Sequence, residues 1–243
     1  MKKVLFFIYA IIITQLLTAQ APAIEWQNTI GGNDYEYLYA VEQTTDGGYI
    51  LGGESRSELN GDKTEVNVGS TSSCDFWVVK ISLTGSIEWQ NTIGGTGQDH
   101  LYSIKQTSDG GYILGGNSTS GINGDKTEAY FGGSFYGDYW VIKLNSAGII
   151  EWQNTIGGPD EDKLKSIIQT NDGGYLLGGF SESGVGGDKT EPSNGLDDFW
   201  IIKLNSAGSI EWQNTIGGSG DDQVSVVLQN NDGNFIAAGH SIS

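Results

Sequence analysis

Between Ile87 and Ile93 the side chains alternate, with Ile87, Trp89, Asn91 and Ile93 on one side and Glu88, Gln90 and Thr92 on the other. That is the period of two of a half-buried strand. The stretch Ile-Glu-Trp-Gln-Asn-Thr-Ile-Gly-Gly begins at Ile24, Ile87, Ile150 and Ile210. Its tryptophans, Trp26, Trp89, Trp152 and Trp212, lie 63, 63 and 60 residues apart, and a fixed period of that size signals a propeller, solenoid or array.

Three further β-like segments fill each period. One is Leu101-Tyr-Ser-Ile-Lys-Gln-Thr107, or Leu164-Lys-Ser-Ile-Ile-Gln-Thr170 in the next copy. An Asp-Gly turn follows it at Asp46, Asp109, Asp172 and Asp232, a strong hairpin signal because glycine tolerates positive φ. The chain then returns through Tyr49-Ile-Leu-Gly-Gly53 and its copies at Tyr112, Tyr175 and, degenerate, Phe235. After a long loop with Gly61-Asp-Lys-Thr-Glu65, copied at Gly124 and Gly187, comes Asp75-Phe-Trp-Val-Val-Lys80 with its copies at Asp138 and Asp198. This last segment is nearly all apolar, as for a strand covered on both faces.

Four antiparallel strands in about sixty residues make one propeller blade. The pattern therefore predicts an all-β fold: a β-propeller of four-stranded antiparallel blades with ~60-residue repeats, about four blades, incomplete or open. Counting from the Trp26 stretch gives 15 predicted strands, one short of four full blades. The repeat domain spans 22–243. Residues 1–21 read as a signal peptide, with Lys2 and Lys3, an apolar run from Val4 to Leu17, and small residues around Ala19 and Ala21. The run is too short to span a bilayer and fits a secretory leader, so the mature protein is expected to be secreted or at the cell surface, with no membrane insertion after removal of the leader.

The order of hairpin, Tyr-Ile-Leu-Gly-Gly strand, long loop, Asp-aromatic-Trp strand and closing Trp strand looks like a kelch blade. The set Asp-Gly-Gly-Tyr-Ile, Gly-Asp-Lys-Thr-Glu and Asp-Tyr-Trp-Val-Ile-Lys-Leu resembles secreted tandem-repeat β-propeller proteins of the Bacteroidetes type, related to the bacterial β-propeller repeat. The likeness covers essentially the whole mature chain. It implies architecture, and it implies type IX secretion for full-length relatives. It implies no activity.

Thirty acidic residues against 12 Lys and Arg give a net charge of -18, which repels phosphate backbones and anionic headgroups. Nucleic-acid partners are disfavoured. Glycine is frequent, 38 residues, but sits at fixed places in the repeat, which makes it turn chemistry and not linker. The single cysteine, Cys74, aligns with Gly137 and Asp197. With no His or metal-ligand spacing nearby in sequence it reads as an incidental thiol, and His100 and His240 read as surface residues.

Each loop after a Gly-Gly pair carries an acid in register: Glu36, Asp99, Asp162 and Asp222. A rim of carboxylates suits Ca²⁺, which takes several oxygen ligands; the competing reading is a carboxylate capping its own loop. No other cofactor is implied. Lys and Glu of the Gly-Asp-Lys-Thr-Glu loops read as a structural pair at the loop surface. Tyr130, Phe131, Phe135 and Tyr136 break the pattern and are the candidate ligand-binding aromatics. The polar motifs all repeat, whereas a catalytic centre needs different residues converging. The expectation is thus a non-enzymatic extracellular binding scaffold for a protein or glycan partner. The alternatives are a secreted polysaccharide hydrolase or lyase using Asp99 and Asp162, and a calcium-stabilised adhesive module.

Overall fold

The computed structural model describes residues 21–70, 72–132 and 137–242. The predicted leader, apart from Ala21, lies outside the described residues, as do Phe135 and Tyr136. Among the described residues there are 14 strands, all paired antiparallel, and no helix.

Sheet 1 contains β1 (Glu36–Gln43), β2 (Tyr49–Ser55), β3 (Asp75–Ile81) and β4 (Ile87–Ile93), hydrogen-bonded in that order. Sheet 2 repeats it with β5 (Asp99–Gln106), β6 (Tyr112–Ser118), β7 (Asp138–Leu144) and β8 (Ile150–Ile156). Sheet 3 contains β9 (Asp162–Gln169), β10 (Tyr175–Ser181), β11 (Asp198–Leu204) and β12 (Ile210–Ile216). Sheet 4 has only β13 (Asp222–Gln229) and β14 (Phe235–Ser241). No strand pairing joins sheet 4 to sheet 1 among the described residues.

The turns are those the sequence demands. Gly47, Gly110, Gly173 and Gly233 of the Asp-Gly turns have φ between 82° and 87°. At Gly47, Gly110 and Gly173 a Cβ would meet nothing within 4 Å, so backbone conformation alone requires glycine there.

Successive sheets stack face to face through three seams. At seam 1, Ile50, Phe76 and Val78 of sheet 1 interlock with Leu101, Leu114, Trp140 and Ile142 of sheet 2. Seam 2 repeats this with Ile113, Tyr139 and Val141 against Leu164, Leu177, Trp200 and Ile202. Seam 3 is smaller, with Leu176 and Ile201 against Val224 and Val227, because sheet 4 offers two strands. The shortfall leaves an apolar trough of about 760 Å³ lined by Phe199, Trp212, Ile216, Phe235 and Ile236.

The first tryptophan stretch corrects the strand count. Residues 22–32 are not in a strand. Trp26 packs edge-on against Tyr49, its indole lies against Gly85, and Asn28 donates to the Gly85 carbonyl at 2.9 Å. Trp89 and Asn91 make the same contacts to Gly148, and Trp152 and Asn154 to Gly208. The segment therefore docks on sheet 1 as β4 docks on sheet 2, but it has no ladder partner.

Candidate functional site

The second, glycine-paired strand of each sheet explains where a site can form. The glycine at the end of this motif, preceded by a second glycine in sheets 1 to 3 and by Ala238 in sheet 4, faces a carbonyl of the first strand: a Cβ on Gly53, Gly116, Gly179 or Gly239 would lie 1.9–2.0 Å from the carbonyl oxygen of Tyr37, His100, Lys163 or Gln223. At that point the first strand carries a one-residue bulge, with Tyr39, Tyr102, Lys165 and Ser225 as the extra residues. A bulge re-aims its side chain out of the ladder. Here the four bulged residues, with Gln223, Val224 and His240, line one depression of about 590 Å³ where the first strands of all four sheets meet.

The depression is aromatic and polar together. Tyr35, Tyr37 and Tyr39 form a row of near-parallel rings with centroids 6.3 and 6.2 Å apart. Tyr39 continues to Tyr102 at 5.2 Å, and Tyr102 lies alongside His100 at 6.2 Å. The Lys165 ammonium sits 4.0 Å from the centre of the Tyr102 ring, a cation–π contact. Burial, then the Glu54 charge, pushes the phenols of Tyr39 and Tyr102 above their ordinary range, so both remain hydrogen-bond donors. Burial and the neighbouring Lys163 lower Lys165. Tyr35, Tyr37 and Tyr39 are exposed, their rings stacked while their hydroxyls stay wet.

Beside this depression, at the inner corner of seam 1, Glu54, Cys74 and His100 converge, their ligand atoms all within 4.8 Å of one another. Glu54 and Cys74 are buried. Cys74 Sγ lies 3.5 Å from His100 Nδ1 and 4.0 Å from Nε2, and it also meets the Gln98 Oε1 at 3.0 Å. A Glu54 carboxylate oxygen contacts the same Nδ1. This corrects two sequence expectations: Cys74 is not isolated from histidine, and His100 is not a free surface residue. Although burial opposes it, contact with Cys74 and Glu54 raises His100 to about 9.

The predicted acids occupy equivalent places but do not gather. Asp99 Oδ2 accepts from the Gly95 amide at 2.8 Å and the Ser120 hydroxyl at 2.9 Å. Asp162 does the same with Gly158 at 2.7 Å and Ser183 at 3.0 Å, Asp222 accepts from Gly218 at 2.7 Å, and Glu36 from Gly32 at 3.2 Å and Ser55 at 3.1 Å. Each caps its own loop. Among the described residues the only three-ligand grouping is that of Glu54, Cys74 and His100. Asp99 and Asp162 have no exposed surface and belong to different sheets, so they do not flank a cleft as an acid–base pair must.

The Gly-Asp-Lys-Thr-Glu lysines are also placed differently from expectation. Lys126 and Lys189 are buried, not at the loop surface, and lie over the rings of Trp140 and Trp200 while donating to Thr155 and Thr215. Burial, offset by Asp99 and Asp138, holds Lys126 down at about 8. Among the predicted aromatics, Tyr130 is half-buried. Phe131 packs on Gly187 of the next loop and donates its amide to Asp138 at 2.6 Å. Val68 holds the equivalent place, over Gly124 and bonded to Asp75, so Phe131 latches one loop to the next.

Sequence reasoning missed Tyr39, Tyr102, Lys165 and Ser225. The signal was there: Leu101 and Ile104 are both buried on seam 1 although three residues apart, and Leu164 with Ile167 repeats this, which a regular strand cannot do. No known family model and no curated protein sequence matches this chain. Functional inference therefore starts from these residues.

Proposed function

We propose that the protein is a non-enzymatic extracellular or cell-surface binding scaffold, a β-propeller whose blades are the four sheets, and that it takes a neutral glycan chain in the central depression. One observation carries this reading. The four bulged side chains that line the depression are two tyrosines, Tyr39 and Tyr102, then Lys165 and Ser225, three residue types on a frame that otherwise repeats. Side chains that diverge where the backbone is conserved from sheet to sheet are free to serve a ligand.

The chemistry favours a sugar. Tyrosine rings present flat apolar area for the C–H face of a pyranose, and their hydroxyls, with Lys165 and Gln223, can meet its hydroxyl groups. The net charge of -18 disfavours a polyanion. Extracellular placement rests on the leader-like segment at the start of the sequence, and blade geometry on the antiparallel four-stranded sheets and their face-to-face packing.

The test is a glycan array followed by titration with the best-bound oligosaccharide. Tyr39→Ala and Tyr102→Ala should each weaken binding by about tenfold or more, equivalent to about 1.4 kcal/mol, while Phe131→Ala leaves it unchanged. Binding that survives both tyrosine substitutions would move the site elsewhere, and capture of protein ligands with no glycan would change the ligand class. Because the four register acids already cap their own loops, adding Ca²⁺ to the metal-stripped chain should leave the melting temperature unmoved; a rise of several degrees would support the adhesive-module alternative.

A further inference from the structure

The inner corner of each seam is formed by three aligned positions, one on the second strand, one just before the third strand, and one on the first strand of the next sheet. At seam 2 they are Asn117, Gly137 and Lys163, and at seam 3 Phe180, Asp197 and Gln223. Only at seam 1 do they become Glu54, Cys74 and His100. The three positions vary from seam to seam and lie far apart in sequence, and only at seam 1 are all three residue types that ligate metals. We propose that Glu54, Cys74 and His100 form a Zn²⁺ site that bridges sheets 1 and 2.

The geometry suits zinc. Bonds of about 2.3 Å to sulfur and 2.0–2.1 Å to nitrogen at a tetrahedral angle place the two donor atoms about 3.6 Å apart. Cys74 Sγ and His100 Nδ1 are 3.5 Å apart. The carboxylate of Glu54, once it swings off its direct contact with Nδ1, supplies a third donor, and water or the Gln98 Oε1, 3.0 Å from the sulfur, a fourth. A thiolate and a carboxylate together neutralise the ion, which a buried site requires. The mixed sulfur, nitrogen and oxygen set matches a borderline-soft cation better than Ca²⁺ or Mg²⁺, which take oxygen.

A nucleophilic triad is the rival use of these residues, and the contacts argue against it. In a triad the histidine accepts the thiol proton at one nitrogen while the acid holds the other. Here sulfur and carboxylate converge on the same Nδ1, and Cys74 has no exposed surface for a substrate to reach.

The experiment uses the full chain, reduced and stripped of metal, titrated with Zn²⁺ and with Co²⁺ as a spectroscopic probe. One equivalent should bind, the cobalt form should show thiolate-to-metal charge transfer in the near ultraviolet, and Zn²⁺ should raise the melting temperature. Cys74→Ser should abolish the charge-transfer band, and His100→Gln and Glu54→Gln should weaken Zn²⁺ binding at least about tenfold to a hundredfold, with the far-ultraviolet spectrum checking that each variant folds. Absence of the band in the folded wild-type chain, or equal Zn²⁺ affinity in wild type and variants, would overturn the assignment. Neither outcome bears on glycan binding by the tyrosines.

Discussion

Seams 1 and 2 are nearly superposable in their apolar parts and different at one corner. Phe76 meets Trp140 at 4.9 Å and 45°, and Tyr139 meets Trp200 at 5.0 Å and 46°. Trp89 meets Tyr112, and Trp152 meets Tyr175, both at 5.6 Å and 64°. The inner corner instead has Glu54, Cys74 and His100 at seam 1, but Asn117, Gly137 and a Lys163 paired to Glu161 at seam 2. Packing is thus settled by the shared residues, and the corner is left to vary because little of the sheet contact depends on it.

The largest expected effect tests the shared part. Trp140→Ala and Trp200→Ala each remove a fully buried indole and should cost about 3–5 kcal/mol. Urea denaturation should show the two losses equal within about 1 kcal/mol, allowing for ordinary context dependence; a large inequality would mean that the seams are not energetically alike.

Protonation at seam 2 comes next. Asp138 and Asp162 interact across it, with Lys126 and Asp188 also near Asp138 and Lys189 near Asp162. Burial raises Asp138 to about 7 and Asp162 to about 6. The folded chain then holds protons that the unfolded chain releases near its ordinary carboxyl pKa. Stability from this source is greatest at low pH, declines as pH rises above the unfolded value, and is lost by the folded pKa of about 7. The decline is on the order of 3–4 kcal/mol for each of the two carboxyls. Asp138→Asn should flatten the difference between melting curves at acid and neutral pH; an unchanged slope would remove Asp138 as its source.

Glycine spacing gives a smaller effect. A Cβ on Gly115 would lie 2.4 Å from Leu164 Cδ2 of the next sheet, so Gly115→Ala should destabilise by about 1–3 kcal/mol. The aligned residue in sheet 4 is already alanine, Ala238, and no sheet follows it among the described residues. Ala238→Gly should therefore change stability by about 1 kcal/mol or less. Equal costs at the two positions would show that sheet-to-sheet approach is not what excludes a side chain.

Transplanting the corner should disturb stability least. Asn117→Glu, Gly137→Cys and Lys163→His together should create a second Zn²⁺ equivalent at seam 2, read by cobalt absorbance, with the unfolding free energy of the Zn²⁺-loaded variant within about 1 kcal/mol of the loaded wild type. Failure to bind, with seam 1 still loaded, would show that the three residues need a backbone particular to seam 1.

Much of the fold was legible because its rules are local. Asp-Gly turns, alternation and the all-apolar Trp-Val-Val strands announce hairpins and a covered sheet within a few residues of sequence. The Trp26 stretch misled because an identical sequence forms a strand only when a neighbour offers a ladder, and Trp26 has only the face of sheet 1. The candidate site was hidden for the opposite reason. Glu54, Cys74 and His100 sit on three separate segments, and only the folded chain brings them to one corner. The bulges leave a trace in the three-residue spacing of Leu101 and Ile104, which strict alternation along a strand does not produce.

The bulged position in each first strand has a consequence for how such a chain can diversify. Its residue takes no place in the ladder register, so its identity is nearly uncoupled from folding. Four such sockets around one hollow behave like a keypad on a fixed chassis: exchanging Tyr39, Tyr102, Lys165 or Ser225 changes the chemistry the hollow presents while the machinery beneath stays the same.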